Sequence, residues 1–263
     1  MRPMNNFVRV MLTSVMAGIF SAIVPLTSVF AQGTEEPPLP HINWSFEGPF
    51  GTYDLAAAQR GFQIYKDVCS NCHSMNYLHY RDLSGIGLNE DQIKAIAASV
   101  EVPGGVNDSG QPITRPGRPA DTFKAPFPNE QAAHAANNGA YPPDQSVLVL
   151  ARKGGADYIY AILTGYSEPP AGMKLQPGMS YNKYFPGHQI AMPQPLQDGS
   201  VQYADGTKPT LEQEAKDVVT FLAWAAEPEM VQRKQTGVRV ILFLLMLTGL
   251  TYALKRRLWA DVH

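Results

Sequence analysis

The sequence predicts a mainly α fold, short helices separated by long irregular loops, with a single transmembrane helix at the C-terminal end. Three observations predict it. The 22 Gly and 22 Pro among 263 residues exceed ordinary usage and call for irregular structure through the middle of the chain. Apolar residues recur three or four apart in only a few segments. Long uncharged apolar runs occur only near the two ends, which excludes a polytopic transporter. With 44% hydrophobic and 17% charged residues a disordered chain is excluded as well. The formal charge of -2 and pI near 6.3 lack the Lys and Arg surplus that phosphate neutralisation demands, so no nucleic-acid partner is expected.

At the N-terminus, Arg2 and Arg9 precede an uncharged stretch from Val10 to Phe30, and Val29-Phe30-Ala31 is a small-x-small pattern before Gln32. Residues 1–31 therefore read as an export signal, with a retained anchor helix as the alternative. Either reading puts the following body, residues 32–235, outside the cytoplasm. Residues 32–50, rich in Pro and Glu, read as an extended arm. Asp54 to Ser74 reads as a helix, with Leu55, Ala58, Phe62, Tyr65 and Val68 on one face. Leu88 to Val100 reads as a short helix capped near Asn89. Val102 to Pro128, with Gly and Pro at short intervals and no periodicity, is expected to be a long surface loop. Asp144 to Tyr166 reads as a helical pair broken at Gly154-Gly155, and Pro169 to Gly206 as irregular. Thr210 to Ala226 is an amphipathic helix, with Leu211, Ala215, Val218, Val219, Leu222 and Trp224 inward, ended by Pro228.

Thr236 to Leu254 is long enough to span a bilayer, roughly 28 Å at about 1.5 Å per residue. Arg239 can snorkel outward with Arg233 and Lys234, while Lys255, Arg256, Arg257 and Trp259 anchor the other side. Export of the body leaves residues 255–263 as a cytoplasmic tail. The body carries 15 Lys and Arg against 22 Asp and Glu, a net of -7. That surplus suits solubility, and equally a basic soluble partner steered by long-range attraction.

Such a body is too loop-rich for its core unless something apolar fills the middle. The only two cysteines stand in Cys69-Ser70-Asn71-Cys72-His73 at the end of a helix, the attachment motif of a c-type haem. Two thiols add across the two vinyl groups of the porphyrin, and the adjacent imidazole of His73 is thereby brought under the ring to ligate iron. A thioredoxin-like pair needs a strand-helix context that is absent, and a zinc site needs more ligands than the chain's cysteines supply. The fold expected is thus that of a c-type cytochrome, long irregular loops around one covalently attached haem c.

The sixth iron position takes Met, His or nothing. Met75 and His79 follow His73 too closely to reach the opposite face, and Met230 belongs to the approach to the membrane. Met192 sits in the Pro-rich loop Ile190-Ala191-Met192-Pro193 before the last body helix, where a Met can fold over the ring; spacing leaves His188 as its rival.

Several further segments match one family. Cys69 to Arg81 (CSNCHSMNYLHYR), Ala135 to Ala140 (AANNGA), Pro142-Pro143-Asp144, Ala151-Arg152, Gly154-Gly155, Asp157-Tyr158, Leu163 to Tyr166, Tyr184 to Gly187, Met192, Ala215 to Val218 and Phe221 to Glu229 (FLAWAAEPE) resemble the cytochrome c1 family, the haem subunits of cytochrome bc1 complexes. The resemblance runs from about Trp44 to the membrane anchor. It implies that Met192 is the sixth ligand, that Asn137 and Arg152 lie near the haem propionates, and that Pro143 and Tyr158 line the haem. Many family members carry extra cysteines, one where Ser167 stands here; with Cys69 and Cys72 committed to haem, no structural disulfide is expected.

The function implied is electron transfer. One electron passes from a Rieske iron-sulfur protein to a soluble or membrane-anchored c-type cytochrome, with cytochrome b and the lipid bilayer as further partners and the haem domain in the periplasm of a bacterial inner membrane. No substrate chemistry is expected in this chain itself. Arg152 beside a Gly-Gly break is physically apt for a buried propionate. The alternative is a membrane-anchored haem enzyme, a peroxidase or oxidase subunit with an open sixth site, which needs a distal acid/base pair that the sequence does not display.

Overall fold

The computed structural model describes residues 37–261. The expected export signal, residues 1–31, lies outside them. The order of elements is α1 (Leu55–Asp67), α2 (Glu90–Ala98), β1 (Glu101–Val106), β2 (Pro112–Pro116), α3 (Glu130–Ala136), α4 (Gly155–Thr164), β3 (Ser180–Tyr181), β4 (Gln189–Ile190), α5 (Leu211–Ala226) and α6 (Met230–Leu258), with short 3-10 segments over Cys69–Asn71, Tyr80–Ile86 and Pro186–His188. The fold is mainly helical, and its last helix is long and apolar.

The core is the crossing of α1 and α5. Asp54 caps α1 by accepting the Ala57 N–H at 3.0 Å, and the Thr210 hydroxyl does the same for Gln213 at 3.3 Å on α5. The facing stripes bury Ala58, Phe62, Ile64 and Tyr65 against Ala215, Val218, Val219, Phe221 and Leu222. Phe62 and Tyr65 each lie 5.6 Å from the Phe221 ring, centroid to centroid, and Phe123 closes the cluster from the loop before α3. The approach is close because Gly61 has no side chain: a Cβ there would strike the Asp217 carbonyl oxygen and come within 2.6 Å of its carbon and 2.7 Å of Phe221 Cβ. At the edge of the crossing the Arg60 guanidinium forks onto buried Asp217, Nε to Oδ2 at 2.8 Å and Nη2 to Oδ1 at 2.9 Å, and reaches Asp205 with Nη1 at 2.9 Å.

The structure departs from the sequence expectations in several places, among them the short β3-β4 pair inside the stretch 169–206 expected to be irregular. The helix read from Asp54 to Ser74 ends at Asp67, and the chain turns through Cys69–Asn71 instead. The loop expected over residues 102–128 contains the β1-β2 hairpin, whose exposed strands lack the in-out alternation that reveals a half-buried strand. Of the expected helical pair over 144–166 only α4 forms; Gly154 and Gly155 at φ 90° and 53° start it, and residues 146–153 run as turns and a bend. Helix α3, unanticipated, is capped by Asn129, whose side chain accepts the Ala132 N–H at 2.8 Å.

Helix α6 extends the expected Thr236 to Leu254 run by nearly two turns at its start and about one at its end and is 29 residues long, with its apolar stretch exposed on every side. A core helix would hide that surface; this one is long and apolar enough to cross a membrane.

Candidate functional site

Helix α1 delivers the thiols. After Asp67 the backbone tightens, and the Cys69 carbonyl accepts both the Cys72 N–H at 3.1 Å and the His73 N–H at 2.9 Å. This single turn leaves Cys69 half-buried against the core and carries the chain back into the body at His73. Burial pushes the Cys69 thiol up to about 12, so it stays protonated at neutral pH. Cys72 is exposed.

His73 is buried, 9% exposed, and its Nδ1 lies 2.8 Å from the Pro143 carbonyl oxygen. A carbonyl only accepts, so Nδ1 carries the proton and donates, and Nε2 is left as the lone-pair nitrogen. Burial lowers the imidazole pKa more than the Pro143 carbonyl and Asp144 raise it, so the ring is neutral and able to ligate.

The carbonyl of Pro143 is itself held. Asp144 Oδ2 accepts the Ser74 hydroxyl at 2.8 Å and the Asn76 N–H at 2.9 Å, while Oδ1 accepts the Ser146 N–H at 2.8 Å. The Gln145 N–H reaches the Ser74 carbonyl at 2.8 Å, and the Tyr77 N–H reaches the Ser146 hydroxyl at 3.0 Å. Burial alone would raise the Asp144 pKa, but the bonds from Ser146, Asn76 and Ser74 together outweigh it and hold the carboxyl below its usual range. Asp144 thus laces the segment after His73 to the segment that presents Pro143. Sequence reasoning quoted Asp144 without giving it this role; an acidic residue directly after two prolines was the available signal.

Met192 is half-buried two residues beyond the short β3-β4 ladder, in which Ser180 pairs with Ile190 and Tyr181 with Gln189. The Tyr166 hydroxyl, just beyond α4, donates to the Met192 carbonyl at 3.0 Å, so the loop is pinned at the residue itself. His188 stands at φ 58° and its Nδ1 donates to the Lys183 carbonyl at 3.0 Å. Asn137 closes the end of α3, its amide donating to the Ala133 carbonyl at 2.8 Å. Arg152 is exposed, with Nη1 3.3 Å from the Ala151 carbonyl. Tyr158 is half-buried on α4, packed against the core.

The structure therefore joins Cys69, Cys72, His73 and Pro143 into one hydrogen-bonded unit. Among the described residues, the hydrogen bonds of Asn137 and Arg152 run to their own sequence neighbours and that of Met192 to Tyr166, and none of them ties these residues to it. The donor set suits a covalently held haem: two thiols one turn apart, and beside them a neutral imidazole with its outer nitrogen fixed and its inner one unspent.

Residues 44–262 match the cytochrome c1 family. A mitochondrial cytochrome c1-2 haem protein of Solanum tuberosum is 50% identical over 226 residues, 86% of this chain and 85% of that relative. Cytochrome c1 of Rhodospirillum rubrum is 48% identical over 236 residues, 84% of this chain and 87% of the relative. Cytochrome b/c1 of Bradyrhizobium diazoefficiens is 45% identical over 254 residues, 88% of this chain but only 37% of that longer relative.

Proposed function

The chain belongs to the cytochrome c1 family, the membrane-anchored electron-transfer subunits of cytochrome bc1 complexes, and from that premise we propose which residues hold its haem and which partners it serves. Cys69 and Cys72 would hold one haem c through thioethers, and His73 Nε2 and Met192 Sδ would supply its two iron ligands. Asn137 and Arg152 meet the propionates, and Pro143 and Tyr158 line the ring. The observation that carries this reading is the His73–Pro143 hydrogen bond, 2.8 Å long, which fixes the tautomer and leaves Nε2 available directly after the two thiols.

When bound, the haem supplies a one-electron ferric/ferrous couple, and a His/Met ligand pair favours a high potential. The protein's own part is positional. Pro143 holds the imidazole plane and proton, Asp144 holds Pro143, and Tyr166 holds the loop of Met192, so little rearranges when the charge changes.

The donor is a Rieske iron-sulfur protein, the acceptor a soluble or membrane-anchored c-type cytochrome, and cytochrome b the membrane neighbour. The body, residues 32–235, lies in the periplasm of a bacterial inner membrane after removal of residues 1–31, residues 236–254 span the bilayer, and residues 255–263 face the cytoplasm. The acidic surplus of the body, 22 carboxylates against 15 cations, favours a basic acceptor. The test is the second-order rate of oxidation by a cytochrome of known positive charge across a salt series. As the Debye length falls from about 10 Å at 0.1 M to about 3 Å at 1 M the rate should fall. A rate that is flat or rises would show that the acidic surplus plays no part in docking.

A further inference from the structure

A pocket of about 350 Å³ opens where the haem domain meets α6, with the Pro49–Thr52 turn on one side and Lys234, Val238 and Arg239 on the other. Its height is fixed by the sequence: the uncharged run Val240 to Leu254 begins immediately after Arg239. Residues 236–254 cover the hydrocarbon at about 1.5 Å each, so Arg239, about a turn inside its edge, snorkels up to the headgroups, and Lys234, just outside, lies among them. Phe50, on the rim, is 80% exposed. A ring so bare is costly in water and is accommodated at a membrane interface.

The electrostatics of the pocket are one-sided. No Asp or Glu lines it. Lys234 Nζ donates to the Phe46 carbonyl at 2.6 Å and lies 3.5 Å from the Gly51 carbonyl, which fastens the turn to the helix but leaves the positive charge unbalanced. Arg239 is exposed and, among the described residues, has no ion-pair partner. Arg233, nearly two turns nearer the domain, is by contrast paired with Glu227.

We propose that this pocket binds the headgroup of an anionic phospholipid from the leaflet facing the haem domain. Its phosphate pairs with the Arg239 guanidinium under the field of Lys234, and Phe50 inserts among the upper acyl carbons. Guanidinium and phosphate match geometrically, and basic residues at a membrane surface attract anionic lipid. A zwitterionic headgroup fits less well, because its ammonium finds no carboxylate in the pocket. The site rests on the reading of α6 as a membrane anchor.

The experiment uses the full haem-loaded chain in its detergent-solubilised complex, equilibrated with mixed micelles of phosphatidylglycerol and phosphatidylcholine, and counts retained lipid by native mass spectrometry. The wild type should retain phosphatidylglycerol in preference to phosphatidylcholine. Arg239→Gln should weaken that retention on the order of tenfold, the usual worth of one charge-assisted contact. Arg239→Lys should restore part of it, and Phe50→Ser should weaken retention of both lipids. Equal retention of the two lipids by the wild type, or no loss in Arg239→Gln, would overturn the site while leaving the anchor intact. Release of the wild-type chain from membranes by alkaline carbonate would instead overturn the anchor, and the site with it.

Discussion

Replacing Gly61 by Ala tests whether the haem domain depends on the tight crossing of α1 and α5. In an unencumbered helix interior this substitution stabilises by about 1 kcal/mol, because Ala loses less backbone freedom on folding. Here the new methyl would meet the Asp217 carbonyl, with its carbon at 2.6 Å, and Phe221 Cβ at 2.7 Å. Carbon atoms pack no closer than about 3.5 Å, so the helices must part by roughly 1 Å. Both obstacles are backbone or backbone-attached atoms that no rotamer change can move. The cost therefore sits at the upper end of overpacking penalties, about 3 kcal/mol, and the net loss after the propensity gain is about 2 kcal/mol. For a body of this size that corresponds to a melting temperature lower by about 4–8 °C. The assay is thermal unfolding of the holoprotein followed by circular dichroism at a fixed scan rate. A melting temperature equal to or above the wild type would show that the helices are free to separate and that the crossing is not the tight contact described.

Two further outcomes follow from other parts of the structure. The Asp121 carboxyl, gripped by the Arg115 guanidinium at 2.6 and 2.7 Å and by the Arg118 N–H at 2.7 Å, is held down to about 2; since its folded pKa lies below the ordinary 3.8, its contribution is present above about pH 4 and lost as pH falls through 2. Proteolysis of the β1-β2 hairpin should accelerate over that window, and Asp121→Asn should be equally susceptible already at neutral pH; a hairpin indifferent to both would remove the pair from the account. Ending the chain at Gln235 removes the apolar part of α6 and should yield a haem domain that is soluble without its partners, as fractionation of membranes would record; persistence in the membrane fraction would reveal a second anchor.

The parts legible in the sequence are those whose pattern is local. The spacing of Cys69, Cys72 and His73 is dictated by covalent attachment, and α1 and α5 announce themselves by the three-and-four recurrence of Phe62, Tyr65, Val218 and Leu222. Helix α3 was missed although Asn129 before Glu130 is a cap signal, because seven residues with a single buried apolar side chain leave no stripe. The β1-β2 hairpin was missed because only Val102 among its apolar side chains is buried. Long-range partners were also hidden. Nothing near Asp144 shows that it will reach Ser74 and Asn76, and nothing near Tyr166 shows that its hydroxyl will hold the Met192 loop. Those bonds join segments tens of residues apart, and only the folded chain brings them together.

The central proposal is that a haem fixed at Cys69 and Cys72 would take both His73 and Met192 as iron ligands. A redox titration with optical spectra of the detergent-solubilised complex, run on the wild type and on Met192→Leu and repeated under carbon monoxide, tests it most directly. In the wild type the c-type haem should titrate as one low-spin component that ignores carbon monoxide, and in Met192→Leu it should bind carbon monoxide and titrate at a lower potential. Carbon monoxide binding by the wild type, or a Met192→Leu variant with unchanged spectra, potential and ligand exclusion, would contradict the assignment.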